Sequence, residues 1–227
     1  MQTPKTHVNF HLIGYVVASV ILFLYSFTQV DLNLTLSRAS VWTGLQKVFL
    51  QIGYYERPLS TAIFVSILAA FFLLYWTAIR KAAMGLLSFK QIWILIIAVV
   101  AILLLSYPAF SYDFFNYMFT AKTVLVYEKN PYEVIPLQFA GFDPYLNFMH
   151  WTHLPSAYGP VWIAMTLPFY LMGFGYFLVT LWNFKLLIAG FYILAVVGIE
   201  RIVKEFNKKE AALGVVIFAL NPLVIVE

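Results

Sequence analysis

Residues 59–79 form a run without a single charged side chain, and a second uncharged run follows at residues 91–112. About 20 apolar residues in a helix are enough to cross a hydrocarbon core of roughly 30 Å. The whole chain is 63% hydrophobic and only 11% charged, which leaves too little polar surface to cover a soluble globule. We therefore expect an all-α, polytopic bundle of transmembrane helices. With no cysteine present, disulfides and thiolate metal sites are excluded.

Basic residues predict the orientation of these helices. Arg80, Lys81 and Lys90 flank the short loop between the two uncharged runs, and no acidic residue lies between them. Such a loop is expected in the cytoplasm, so the next span delivers residues 106–160 to the extracytoplasmic side. We interpret the apolar run at residues 12–28 as an uncleaved first helix, because no small-x-small cleavage site follows it.

Two other segments are predicted to form helices that do not simply span the membrane. Residues 31–57 mix charges with apolar side chains at helical spacing, which indicates a helix lying in the membrane interface. Residues 161–199 contain one charge and could hold two short spans, but the basic residues beyond 200 would then face outward. One span at 177–199 removes this conflict and leaves residues 161–172 as a helix in the outer half of the membrane.

A last apolar run, residues 211–226, is expected to cross outward again. The prediction is thus five to six spans plus interfacial or re-entrant helices. Residues 1–227 would form a single membrane module, with residues 106–160 as a structured extracytoplasmic loop that carries the site.

This loop concentrates the polar groups that could do chemistry. It holds four of the ten acidic residues and two of the four histidines. A helix over its first part would place Asp113, Asn116, Tyr117 and Thr120 on one face, since positions three and four apart are neighbours. A carboxylate ringed by hydrogen-bonding groups at a membrane surface could act as a base. The alternative is that Asp113 simply caps a surface helix.

Other polar positions allow structural interpretations as well. Asn130, Pro131 and Tyr132 form an NPY sequence typical of a turn, and Tyr158 opens a YGP sequence that precedes an apolar helix. In a single span Lys185 would lie roughly 10 Å below the outer surface, which is costly unless it snorkels or meets an anion.

The two loop histidines also have two interpretations. His150 and His153 have the spacing of some metal ligands on a helix, but no third ligand lies beside them. Interfacial histidines, or one histidine that binds a phosphate, are the preferred interpretation.

The order of these motifs is similar to that of a known family. An aspartate with a tyrosine four residues on, then a helix, NPY, YGP and a later NPLVIVE run resemble the N-terminal half of the prokaryotic GT-C glycosyltransferases that use polyprenyl-phosphate sugars. They resemble in particular the polyprenol-phosphate-mannose-dependent mannosyltransferases. Such enzymes have roughly twice as many residues and more spans, so we expect the chain to be an N-terminal portion or a shortened relative, with little or no catalysis if it ends at Glu227. Its region before Asp113 also has two spans more than the simplest GT-C layout.

The resemblance implies specific roles for loop residues. Asp113 takes the position of the catalytic or acceptor-binding carboxylate, and a further set is expected to bind substrate: Asn116, Tyr117, Lys122, Asn130, Tyr132, His153, Tyr158 and Lys185. Of these, Lys122, His153 or Lys185 would offset charge on the departing lipid phosphate.

The implied function is inverting transfer of a hexose, mannose by the resemblance, at the extracytoplasmic face of a prokaryotic cytoplasmic membrane. The expected partners are a polyprenyl-phosphate sugar donor, a glycan or lipid acceptor and membrane lipid, with no cofactor, metal or nucleic acid. The alternatives are a polytopic transporter or lipid-handling scaffold, and a non-catalytic membrane assembly subunit.

Overall fold

A computed structural model describes residues 6–30, 40–108 and 111–226. Within these ranges every regular element is a helix, which confirms the all-α prediction. The α-helices are α1 (Thr6–Ser26), α2 (Ser40–Leu50), α3 (Arg57–Ala83), α4 (Phe89–Leu103), α5 (Asp113–Leu125), α6 (Pro160–Leu171), α7 (Phe177–Phe206), α8 (Ala211–Ala219) and α9 (Pro222–Val226). A π-helical turn, Gln51–Tyr55, follows α2, and two 3-10 turns, Pro136–Phe139 and Pro144–Phe148, lie between α5 and α6.

Helices α3 and α7 are long and apolar enough to cross a membrane. Only 17% of the most apolar window of α3, and 11% of that of α7, is buried inside the chain. A helix that is apolar all round and yet unburied needs lipid or further protein against it, unlike the core helix of a soluble domain. The shorter apolar helices are α1, α4 and α6, so the predicted five to six spans are not confirmed.

The described residues form two hydrophobic cores. The first lies in the bundle of α1, α3, α4, α7 and α8, where Tyr15, Phe71 and Ile92 are fully buried. The second lies under the loop between α4 and α6, where α5 packs on the start of α7 and Phe115, Met118 and Phe184 are buried. The loop is therefore a folded cap with its own core, as the prediction of a structured loop requires.

Hydrogen bonds between helices show which helix ends lie together at each end of the bundle. Tyr25 near the end of α1 bonds Ser60 near the start of α3 at 3.0 Å, and Tyr107 N donates to Ser26 Oγ at 3.0 Å. We call this the cleft end, because the chain leads from here into α5, which lines the cleft described below. At the other end Trp93 Nε1 donates to Glu200 Oε2 at 3.1 Å, which joins the start of α4 to the last part of α7. This second end, the basic end, carries Arg80, Lys81, Lys90, Arg201, Lys204, Lys208 and Lys209.

The helix boundaries in the region 161–199 agree with the single-span interpretation. Helix α6 is short, has Pro160 at its start and contains Pro168, and α7 runs unbroken from Phe177 to Phe206. The turn between them includes Gly175 at φ +80°, a left-handed conformation that favours glycine.

Other boundaries differ from the prediction. The uncharged run at 91–112 stops being helical after Leu103. The carbonyl of Leu103 accepts from Lys185 Nζ at 2.8 Å, and Pro108, which cannot continue a helix, follows shortly after. The run at 211–226 is two short helices, since Pro222 interrupts the backbone ladder and Asn221 Oδ1 accepts from Leu223 N at 3.0 Å to start α9.

The segment at 31–57, which was predicted to form an interfacial helix, is helical in part. Helix α2 and the π-helical turn occupy residues 40–55, with Leu45 and Val48 exposed. Residues 31–39 lie outside the described residues.

Candidate active site

A cleft of about 280 Å³ opens between the first turns of α5 and the loop that leads into α6. Helix α5 contributes Asp113, Asn116 and Thr120 to its wall, three of the four residues predicted to share a helix face. The facing wall comes from the loop and contains Trp151 and Tyr158. The remaining lining residues are Pro136, Met149, Leu154, Pro155, Ser156 and Ala157.

Asp113 is the first residue of α5 and is half-buried at the cleft wall. The start of α5 has no side-chain capping hydrogen bond, so the alternative that Asp113 serves as the helix cap is wrong. Asn116 Nδ2 donates to Asp113 Oδ1 across 3.5 Å, a long bond. No salt bridge to Asp113 is found in residues 6–30, 40–108 and 111–226. The carboxylate therefore has acceptor capacity left for a ligand.

Asn116 and Tyr158 surround this carboxylate. Asn116 is 6% exposed, and its Oδ1 has no hydrogen-bond partner among the described residues. The Tyr158 phenol interacts with both Asp113 and Asn116. Burial, and then the charge of Asp113, raise the pKa of Tyr158, so the phenol keeps its proton at neutral pH. It can donate a hydrogen bond in the cleft but cannot serve as a base there.

The NPY turn supports the loop that carries Tyr158. Asn130 Oδ1 accepts from Tyr132 N at 3.1 Å, which closes the turn. Tyr132 then donates its hydroxyl to the carbonyl of Tyr158 at 2.7 Å, and Ser156 N donates to Pro131 O at 2.9 Å. The structure thus brings the two predicted motifs together, with Tyr132 outside the cleft as a positioning residue.

Tyr117 lies behind this contact. Its ring meets Tyr158 edge-on, with centroids 4.5 Å apart, and Trp162 with centroids 5.2 Å apart. It therefore packs against the cleft wall from the side of α6.

Lys122 lies away from the cleft. Its Nζ pairs with Asp143 Oδ2 at 2.8 Å and lies over the Tyr145 ring, 4.2 Å from the centroid. Tyr127 donates its hydroxyl to the same carboxylate at 2.6 Å, and Tyr145 N donates to Asp143 Oδ1 at 2.9 Å. Burial and Asp143 raise the pKa of Tyr127, so this phenol stays protonated as a donor. The carboxylate of Asp143 is therefore fully paired, and it holds Lys122, Tyr127 and the backbone of the loop together.

Lys185 is engaged as well. Its Nζ donates to the carbonyls of Leu103 and Ser106 at 2.8 and 2.9 Å, and to Ser106 Oγ at 2.9 Å. Three bonds use all three N–H groups of an ammonium, and a cation at a helix C-terminus also interacts favourably with the helix dipole. Lys185 therefore has a structural role: its ammonium group caps the C-terminal end of α4.

The two loop histidines have different surroundings. His150 stacks on Tyr112 with ring centroids 3.8 Å apart, whereas His153 is exposed beside Trp151. Neither lines the Asp113 cleft. The described residues contain no group of three His, Asp or Glu side chains that could hold a metal.

Two important residues were missed by sequence reasoning. Trp151 was noted only as a neighbour of the histidines, and it forms an exposed wall of the cleft. Asp143 was counted among the loop acids without a role. Its Asp-Pro sequence is a turn signal, but its pairing with Lys122 depends on how the loop folds back on α5.

In the part of the chain that the structure describes, fold and site define an all-helical protein with two membrane-length helices and a carboxylate-bearing cleft at one end. The family model described as MptA_B family, alpha-(1->6)-mannopyranosyltransferase, N-terminal domain, matches residues 12–227. The chain therefore belongs to this family, which confirms the resemblance to GT-C mannosyltransferases and supports a glycosyltransferase. No curated protein and no solved structure matches the chain.

Proposed function

We propose that this chain supplies the acceptor-activating part of an inverting mannosyltransferase that uses a polyprenyl-phosphate donor at the extracytoplasmic face of the membrane. The observation that carries the proposal is Asp113: a half-buried carboxylate in a cleft, with no ion pair in the described part of the chain. The family match supports mannosyl transfer.

The distribution of charge supports the orientation. The basic end carries Arg80, Lys81 and Lys90 together with four basic residues after position 200, whereas Asp113 is at the cleft end. Cytoplasmic loops are enriched in lysine and arginine, which puts the basic end inside and the cleft outside. In this arrangement α1, α3, α4 and α7 cross the membrane, α8 and α9 together return to the cleft end, and α6 lies in the outer half.

The depth of the cleft suits a lipid-borne donor. A polyprenyl phosphate keeps its tail in the hydrocarbon and its sugar at headgroup level. The cleft lies in the cap, and the chain also carries two helices, among the described residues, that are long and apolar enough to cross a membrane.

The reaction balances as a single displacement. Asp113 accepts the proton of an acceptor hydroxyl while that oxygen attacks the anomeric carbon of the donor. The bond between this carbon and the phosphate oxygen breaks, and its electron pair leaves with the polyprenyl phosphate. Because one displacement inverts the anomeric centre, an α-linked product requires a β-linked mannosyl phosphate. General-base catalysis of this kind contributes about 10²–10⁴-fold to the rate.

A partner for the departing phosphate is the remaining requirement. Of the three predicted groups, Lys122 is bound to Asp143, and Lys185 is bound to the end of α4. His153 is exposed in the same loop and makes no salt bridge within the described residues, so the proposal assigns the phosphate to His153. The reaction is proposed to need no metal, because phosphate is a good leaving group.

The test uses membranes that contain the complete gene product and radiolabelled polyprenyl-phosphate mannose. The substitution Asp113→Asn should reduce transfer by about 10²–10⁴-fold with normal membrane insertion, because the amide cannot take the proton. Glu128→Gln is the matched control, since Glu128 is an exposed carboxylate of the same loop outside the cleft. Normal transfer by the Asp113→Asn protein would remove Asp113 from the mechanism.

A further inference from the structure

The cleft wall opposite Asp113 presents an exposed aromatic ring next to a buried amide. Trp151 is 54% exposed although it lines the cleft, whereas Asn116 is 6% exposed. An open tryptophan face and a buried polar group that converge on one space are typical of a ligand site.

The amide of Asn116 has an unused acceptor. Its Nδ2 faces Asp113 Oδ1, and because an ionised carboxylate only accepts, the nitrogen of the amide must point that way. This leaves Oδ1 buried in the cleft wall without a partner among the described residues. A buried carbonyl oxygen is costly when unpaired, so the site favours a ligand that brings a hydroxyl donor.

The charge of the cleft excludes a phosphate as its occupant. Asp113 is the single charged residue among the lining residues that the structure describes. Lys122 and Lys185 are held elsewhere by their own partners. A cleft with one anion and no cation repels a lipid phosphate and accepts a neutral polyol.

Trp151 adds the apolar part of this recognition. One face of a hexose ring consists largely of C–H groups, which pack well on the flat face of an indole. The single ring contact of Trp151 in the described residues is the loose one with His153, with centroids 6.3 Å apart. The indole is therefore open to a ligand.

We propose that Trp151 and Asn116 form the subsite for the terminal sugar of the acceptor glycan. The sugar stacks on Trp151, one of its hydroxyls donates to Asn116 Oδ1, and the attacking hydroxyl donates to Asp113. The donor phosphate binds outside this cleft. This assignment rests on the proposed mannosyl transfer for the identity of the sugar, and its test separates the two.

Binding is measured without turnover, on the full-length Asp113→Asn protein in nanodiscs. The probe is α-(1→6)-linked mannotriose, observed by saturation-transfer NMR. Adding Trp151→Ala should weaken binding by about tenfold or more, since tryptophans at the centre of a binding site are the contacts most costly to truncate. Trp151→Phe should recover most of the loss. Phe142→Ala is the control, because Phe142 is a 65% exposed aromatic of the same loop outside the cleft.

A panel of monodeoxy methyl α-mannosides tests Asn116 separately. The analogue that lacks the recognised hydroxyl should bind more weakly than its parent sugar to the Asp113→Asn protein. It should bind as well as the parent sugar when Asn116→Leu is added. Equal binding of every analogue to the Asp113→Asn protein would overturn the role of Asn116.

Activity of the otherwise unmodified protein completes the test. Trp151→Ala should raise the KM for the acceptor with little change in the KM for the donor. No binding of mannotriose, or binding that Trp151→Ala leaves unchanged, overturns the subsite. If mannotriose binds through Trp151 while the unmodified protein transfers no mannose, the proposed reaction falls and the subsite stands.

Discussion

Two aspartates of the same loop have opposite surroundings. The side chain of Asp143 is fully buried and receives Lys122, the hydroxyl of Tyr127 and a backbone N–H. Asp113 is half-buried, receives one long bond from Asn116, interacts with the Tyr158 phenol and lines an open cleft without a salt bridge among the described residues. The comparison shows that the residue type did not decide which carboxylate is available for chemistry. What decides this is how many hydrogen-bond donors and cations the fold already places against each carboxylate.

The largest expected effect on stability follows from removing the satisfied carboxylate. Asp143→Asn leaves the ammonium of Lys122 partly buried without its counter-ion, since only 15% of that side chain is exposed. Loss of one partner of a buried pair costs about 3–5 kcal/mol of stability. We expect a large drop in the melting temperature of the detergent-solubilised protein.

The double variant Asp143→Asn with Lys122→Met tests whether the unpaired charge of Lys122 causes the loss of stability. It should regain part of the lost stability, because both ionic groups are then gone. An unchanged melting temperature for Asp143→Asn would show that the two aspartates do not differ as described.

A second prediction concerns Lys185, which sequence reasoning placed among the substrate-binding residues. Lys185→Met leaves the carbonyls of Leu103 and Ser106 without their donor, at a cost of about 1–3 kcal/mol. We expect a lower melting temperature and an unchanged KM for the donor. A raised donor KM at the original melting temperature would instead support the substrate role.

Tyr132 tests the link between the NPY turn and the cleft. Tyr132→Phe removes the bond to the carbonyl of Tyr158 at a cost of about 0.5–1.5 kcal/mol. Because Tyr158 lies against Asp113, we expect a several-fold lower kcat. Asn130→Ala opens the same turn without touching this bond and serves as the comparison, and equal kcat values for Tyr132→Phe and the unmodified protein would count against positioning.

The smallest expected effect is a pH dependence of the stability that Tyr112 contributes. Burial raises the pKa of Tyr112 to about 12, and its hydroxyl donates to the carbonyl of Gln29. Since the folded pKa lies above the ordinary value near 10, this contribution is complete below pH 10 and is lost as the pH rises through 12. The melting-temperature difference between the unmodified protein and Tyr112→Phe should be constant from pH 7 to 9 and shrink above pH 10. A constant difference up to pH 12 would contradict the shift.

Periodic features of the fold could be predicted from the sequence. The face shared by Asp113, Asn116 and Thr120 follows from helical spacing, and the single helix α7 follows from the position of the basic residues after 200. The end of α4 could not be predicted in this way. It depends on Lys185, which lies far along the chain and binds Leu103 O.

The candidate site was predictable only on its helical side. Spacing gave the residues of α5, but Trp151 reaches the cleft because residues 144–158 fold back on that helix. The pairing of Lys122 with Asp143 likewise joins a helix to an irregular loop. Such contacts have no periodic signal in the sequence. They decided that Lys122 is structural while Asp113 is open.

The most direct test of the central claim uses the absence of cysteine from the chain, since each single-cysteine variant can be labelled without background. Asp113→Cys, Asp143→Cys and Lys81→Cys are exposed to a membrane-impermeant maleimide on intact cells. We predict rapid labelling at position 113, labelling at 143 only after unfolding, and labelling at 81 only after the membrane is permeabilised. Protection of position 113 on intact cells, or its labelling only together with position 81, would contradict an open carboxylate at the extracytoplasmic face.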